Sequence, residues 1–217
     1  ISYMDERILS TPAIAIAQLQ KETIAMGNKC MDALDKSFNA FIARDTSLAE
    51  DINAENEDIT LMSKQITDYL IKVSGETISV HDDQKISIMY HAIADMLRIS
   101  EISDNFVKYT RSYEEKGLKF SDSVFGDLIT MHGKLTDMYK LAISIFETFD
   151  KTHFDELEII ENSVDAMRRS LIDGHIRRLN DGSCTPESSS VFINLVSNLE
   201  RVGDHITFIA HTVEELQ

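Results

Sequence analysis

The chain has 217 residues, of which 21 are Lys or Arg and 37 are Asp or Glu, for a formal net charge of −16. That excess of carboxylates argues against a nucleic-acid binder, which needs a basic face to release phosphate counterions, and against docking on anionic lipid through basic residues. An apolar fraction of 43% is that of a folded globular chain, and two Pro with eight Gly are too few for the closely spaced turns of a β-sandwich.

Helix signals run the length of the chain. Thr11-Pro12 reads as an N-cap followed by Pro at the first helical position, and Ile14, Ile16, Leu19, Ile24, Met26, Met31, Leu34, Phe38 and Phe41 carry an apolar stripe with a few extra members behind it, predicting a first helix over about 12–44. Ser47 with Glu50 has the form of a capping box and opens a second helix over 48–73. Ser79 with Asp82 opens a third, to about 115, and Ser121 a fourth, with Leu128, Met131, Leu135, Met138, Leu141 and Ile145 on its stripe. Thr152 with Asp155 opens a fifth, ending near Asn180, and Thr185-Pro186 opens a sixth that runs nearly to Gln217. Gly75, Gly117 and Gly182 stand where left-handed C-caps belong. No segment alternates at period two long enough for a strand. The prediction is an all-α fold of six long antiparallel helices.

The six helices read as three plus three. A constant offset of 105 pairs Met26 with Met131, Lys29 with Lys134, Asp32 with Asp137, Ile59 with Val164 and Met62 with Met167. The Ser47 and Thr152 boxes fall at the same offset. An internal duplication follows, giving two repeated three-helix bundles: residues 1–11 as a linker segment, 12–117 as the first repeat and 118–217 as the second.

Chemistry concentrates in the sixth helix, in Asn198-Leu199-Glu200-Arg201-Val202-Gly203-Asp204-His205. Glu200 and Asp204 are four apart and project from one helix face, while Leu199, Val202, Ile206 and Ile209 form the core-facing stripe. Two carboxylates so placed are hard oxygen donors for a divalent or trivalent metal if a facing helix adds more. Gly203 is a poor helix former and predicts close packing against another helix. In the third helix, an offset of 100 sets Ile99, Ile102 and Phe106 on Leu199, Val202 and Ile206, and Asp104 on Asp204, with Ser100 where Glu200 stands; an offset of 103 instead sets Glu101 on Asp204. Under either, Glu101 and Asp104 are the oxygen ligands the first repeat offers. A solvated acidic face explains the same spacing at lower specificity.

Other signatures are missing. There is no phosphate-cradling Gly-rich loop, no Gly-x-Ser-x-Gly elbow and no His-Glu-x-x-His. Cys30 and Cys184 form no metal or disulfide pattern and suit a reducing compartment, and Cys184, in the turn before the sixth helix, reads as a passive loop residue. No run reaches the length of a membrane span.

Leu199-Glu200-Arg201-Val202-Gly203-Asp204-His205 resembles the Glu-Arg-Ile-Gly-Asp-His signature of PhoU proteins, which are two repeats of a three-helix bundle, and Glu161-Asn162-Ser163-Val164-Asp165 resembles that family's Glu-x-x-Ile-Asp stretch. Tyr3-Met4-Asp5-Glu6-Arg7 with Thr11-Pro12-Ala13-Ile14-Ala15 is similar to the segment that joins the membrane part of bacterial Na⁺/phosphate cotransporter-family proteins to a PhoU-like cytosolic tail. The resemblance implies a non-catalytic regulatory domain, cytoplasmic and tethered to the inner membrane, whose partner is the membrane transporter portion of the same protein. A homodimer is compatible with it; nucleic acid and membrane insertion by this segment are not. It also implies metal binding through acidic-x-x-x-Asp motifs, carried here by Glu200 and Asp204, and in the first repeat by Asp104 with Ser100 in its partner's place, Glu101 remaining a ligand on the residues' own spacing; iron, zinc, magnesium and nickel are not distinguished. The absence of Met at Ile1 agrees with a domain cut from a longer chain. A free-standing PhoU-like adaptor that represses phosphate-starvation signalling is the alternative. A di-metal carboxylate enzyme in a helical bundle ranks last, since the Glu-x-x-His it needs is missing.

Overall fold

Apolar residues at helical spacing dominate the chain, and their burial decides where its helices pack. The computed structural model describes residues 6–217; Tyr3, Met4 and Asp5, which carry part of the N-terminal resemblance, lie outside the described residues. A short 3₁₀ turn, Glu6–Ser10, precedes α1 (Pro12–Ala43), α2 (Ala49–Ser74), α3 (Val80–Glu115), α4 (Asp122–Thr148), α5 (Phe154–Asn180) and α6 (Pro186–His211). Among the described residues there is no strand, and no helix is long and apolar enough to cross a membrane.

The first three helices pack on one another, as do the last three. The two bundles join mainly where α3 lies along α6, with a smaller contact between α1 and α4. One core runs through both, with Phe38, Met26, Met96, Phe106, Met131, Met138, Leu199 and Ile206 at most 1% exposed. A buried Leu, Ile or Phe contributes about 1.5–3 kcal/mol, so this shared core holds the repeats as a unit. Gly27 lies where α1 is pressed between the repeats: a Cβ there would come within 2.7 Å of the Tyr139 hydroxyl and 2.8 Å of Met96 Cε. Gly203 packs against α4, 3.3 Å from Leu135 Cδ2 at the position its Cβ would take, which is the close approach its helix position predicts.

The duplication extends to details that residue identity does not reveal. α1 and α4 end on Arg44 and Phe149, both left-handed at φ 55° and 57°, and 149 is 44 displaced by the same 105. Asp45 then accepts the Ser47 N–H at 2.9 Å, and Asp150 accepts the Thr152 N–H at 2.9 Å. These Asx turns correct the expected capping boxes. Ser47 and Thr152 are spent on the turn, and α2 and α5 begin later without a side-chain cap. Ser79 and Thr185 do cap α3 and α6, accepting from the N–H groups of Asp82 at 3.1 Å and Ser188 at 3.3 Å. Of the expected glycine caps, Gly117 and Gly182 are left-handed, at φ 58° and 81°, whereas Gly75 stays right-handed. The sixth helix stops at His211, and Thr212–Glu215 form a 3₁₀ turn held to α3 where Ser87 Oγ donates to Glu215 at 2.7 Å.

Candidate functional site

Each repeat places one polar cluster between its second and third helices. The two occupy equivalent places in the duplication and differ in charge.

In the second repeat α6 contributes Glu200 and Asp204. Val202 and Ile206 are buried beside them, which turns both carboxylates toward α5. There Glu161 and Asp165, also four apart, meet them: Glu161 feels the charges of Asp165 and Asp204, and Glu200 feels Asp204 and Asp165. Arg168, one turn further along α5, forms an ion pair with Glu200. Burial, then the neighbouring carboxylates, push Glu161 above the ordinary range. Burial raises Asp204 too, with Asp165 next, against the opposing charges of His205, Arg168 and Arg201. Glu200 is raised by burial despite Arg168. Four carboxylates held where at least three are reluctant to ionise form a site with a deficit of positive charge. His205 also binds Asp95 of α3 at 3.0 Å, joining the repeats.

In the first repeat the offset of 105 brings Asn56 and Thr60 to the places of Glu161 and Asp165, and the offset of 100 brings Ser100 to that of Glu200. Full burial of Ile99, Ile102 and Phe106 agrees with that register. Asn56 Nδ2 donates to Asp104 at 2.6 Å and to Ser103 Oγ at 2.9 Å, while Ser100 Oγ donates to Asn56 Oδ1 at 2.9 Å. One amide thus satisfies what three carboxylates would leave in repulsion. The network opens to a groove of about 410 Å³ lined by Asn53, Asn56, Glu57, Thr60 and Asp104.

Of the four residues singled out in the sequence, the structure brings Glu200 and Asp204 together. Asp104 lies in the other repeat's network, and Glu101 points outward, 62% exposed and paired with Arg98 at 3.0 Å. Among the described residues no three His, Cys, Asp or Glu side chains converge tightly enough to hold a metal ion as they stand. The donor chemistry nevertheless separates the repeats. The second has four carboxylates short of positive charge, with Arg168 as internal counterion, and its donor set fits a hard cation. In the first, Asp104 is already bonded to the Asn56 amide, and Glu57 is the other carboxylate lining the groove. Sequence reading missed Glu161, Asp165 and Arg168 as members of the site. The signal was present: Glu161 and Asp165 repeat the spacing of Glu200 and Asp204.

The "PhoU domain" family matches residues 23–110 and again 128–213. The chain is 22% identical, across 98% of its length, to the "Putative inorganic phosphate export protein YjbB" of Escherichia coli K12, and 21% identical to the Salmonella typhimurium protein of the same name. It spans 39% of the length of those relatives. Its fold is similar to the crystal structure of PhoU from Pseudomonas aeruginosa (TM-score 0.84, 19% identity, 94% of this chain and 97% of that one). It is likewise similar to that of the phosphate transport system regulatory protein PhoU from Streptococcus pneumoniae (TM-score 0.82, 16% identity, 95% of each). With two matches that between them reach into all six helices, the chain belongs to the PhoU domain family.

Proposed function

We propose that this chain is the regulatory domain of an inorganic phosphate transport system, catalyses no reaction itself, and acts at the cytoplasmic face of the membrane on a Na⁺-dependent transporter portion of the same protein. The supporting observation is one of proportion: 98% of the chain aligns with only 39% of a protein named for phosphate export. Such a domain acts by favouring one state of its partner, so its contacts must differ between the partner's states. A second reading, a free-standing adaptor, is supported by the structural likeness, which takes in 97% of the Pseudomonas PhoU chain. The reading frame upstream of Ile1 separates them. Several apolar runs of about 20 residues are the expected result for the first, and an initiator Met close to Ile1 would replace it with the second.

The same reading gives the second repeat a cation held by Glu161, Asp165, Glu200 and Asp204. The cation would supply the positive charge this cluster lacks, and Arg168 would release Glu200 to it. Asp204→Asn should then abolish metal retention measured by elemental analysis, with helicity unchanged. Equal metal content in wild type and variant would remove these residues from the role.

A further inference from the structure

At the end of the molecule where the α3–α4 turn meets the α5–α6 turn, a cavity of about 370 Å³ is lined by Lys116, Lys119, Cys184 and Glu187, among others. The half-buried Cys184 thiol lies 3.8 Å from Nδ1 of His175. His175, only 1% exposed, presents Nε2 to Ser189 Oγ at 2.7 Å and stacks on Phe192 with centroids 4.7 Å apart. A nucleophile, a base within reach of it and a third group that orients the base form the pattern of an activated side chain. Cys30 is no competitor: it is fully buried, and its thiol is pushed up to about 12.

We propose that Cys184 is a thiol-modification site that reacts with anionic low-molecular-weight disulfides, with His175 as its base and Lys116 and Lys119 receiving the anionic groups. With Nε2–H donating to Ser189 Oγ, the lone pair of His175 faces the sulfur. Burial, then Arg178, lower the proton affinity of His175, so the ring is neutral and free to accept at neutral pH. Until the reaction begins, the thiol proton has the Thr185 carbonyl at 3.5 Å as its other acceptor. The sulfur then gives its proton to Nδ1 and attacks one sulfur of the disulfide R–S–S–R. The protein–S–S–R bond forms, the S–S bond of the reagent breaks, and the departing thiolate takes the proton from His175 as R–SH. The protein thiol is oxidised and half of the reagent is reduced, with no other reactant. The adduct places an anionic group between the α3–α4 turn, which links the two repeats, and the α5–α6 turn of the second.

The test is glutathione disulfide added to the full chain, followed by intact mass. One adduct per chain is expected, absent in Cys184→Ser, forming about tenfold faster than on the urea-unfolded chain, because an unassisted thiol is only a few per cent thiolate at pH 7. Ser189→Ala, a change on a half-buried side chain, should slow it severalfold. Lys116→Ala with Lys119→Ala, both exposed, should slow glutathione disulfide but leave the uncharged hydroxyethyl disulfide unaffected. A folded-chain rate no greater than the unfolded one, or an adduct that survives Cys184→Ser, overturns the site. Equal slowing of both reagents by the lysine changes overturns the anionic preference.

Discussion

Asp204 sits among carboxylates that the fold holds together at a cost. Each like-charged pair four residues apart on a helix destabilises by about 0.2–0.5 kcal/mol, and burial adds to it. In chelator-treated protein, Asp204→Asn should therefore raise the melting temperature, by roughly 1–4 °C for a domain of this size. With metal added the order should reverse, since wild type alone gains the stabilisation of binding, about 2.7 kcal/mol at a hundredfold excess over Kd. A variant that melts below wild type in chelator would mean that the carboxylates are satisfied as they are. The pH dependence has a definite sign. Glu161, Glu200 and Asp204 have raised folded values, so the folded state binds more protons than the unfolded one. Their contribution is fully present below the ordinary carboxylate range and is lost as pH rises through the raised values. Asp45, Asp150 and Asp181 are lowered by hydrogen bonds from Ser47, Thr152 and Ser183, and their contribution is lost only as pH falls through those lower values. Metal-free protein should gain stability as pH falls from neutral toward the ordinary carboxylate range. The triple variant Glu161→Gln, Glu200→Gln, Asp204→Asn should show a smaller gain in denaturant melts.

At the scale of the helix, glycines divide by what surrounds them. Gly27→Ala must displace the Tyr139 hydroxyl, which donates to Asn28 at 2.8 Å, and shift Met96; overpacking of this kind costs about 1–3 kcal/mol. Gly133, in the middle of α4, has nothing within 4 Å of a Cβ, so Gly133→Ala should stabilise by about 0.4–1 kcal/mol. Urea titrations of the two variants should move their midpoints in opposite directions. The contrast marks what the sequence could and could not say. Helix number, order and stripe were legible because apolar periodicity fixes which face is buried. The ends were legible at Ser79 and Thr185, where the side chain caps the helix. They were misread at Ser47 and Thr152, because an Asx turn from the preceding Asp45 or Asp150 outcompetes the capping box for the same residues. The left-handed ends at Arg44 and Phe149 carry no residue signal. Their kinship appears only as a shared offset.

In the molecule as a whole, two repeats with one ancestry have diverged in charge at one place. Asn56, Thr60 and Ser100 hold by neutral hydrogen bonds the position that Glu161, Asp165 and Glu200 hold by charge. Half of this site was legible. Glu200 and Asp204 share a helix and a spacing, whereas Arg168 enters from α5 and joins them only through tertiary packing. The Cys184–His175–Ser189 constellation was hidden for the same reason, since its members come from the end of α5, the turn and the start of α6. The role proposed for the two bundles, locked together by α3 and α6, is to regulate inorganic phosphate movement across a membrane. The most direct measurement is phosphate flux, across a range of external phosphate, in cells carrying the complete reading frame and in cells from which only residues 12–217 are deleted, at matched membrane abundance of the transporter. With this role, deletion should change the flux and remove its dependence on phosphate supply. Identical flux at every phosphate level would contradict it.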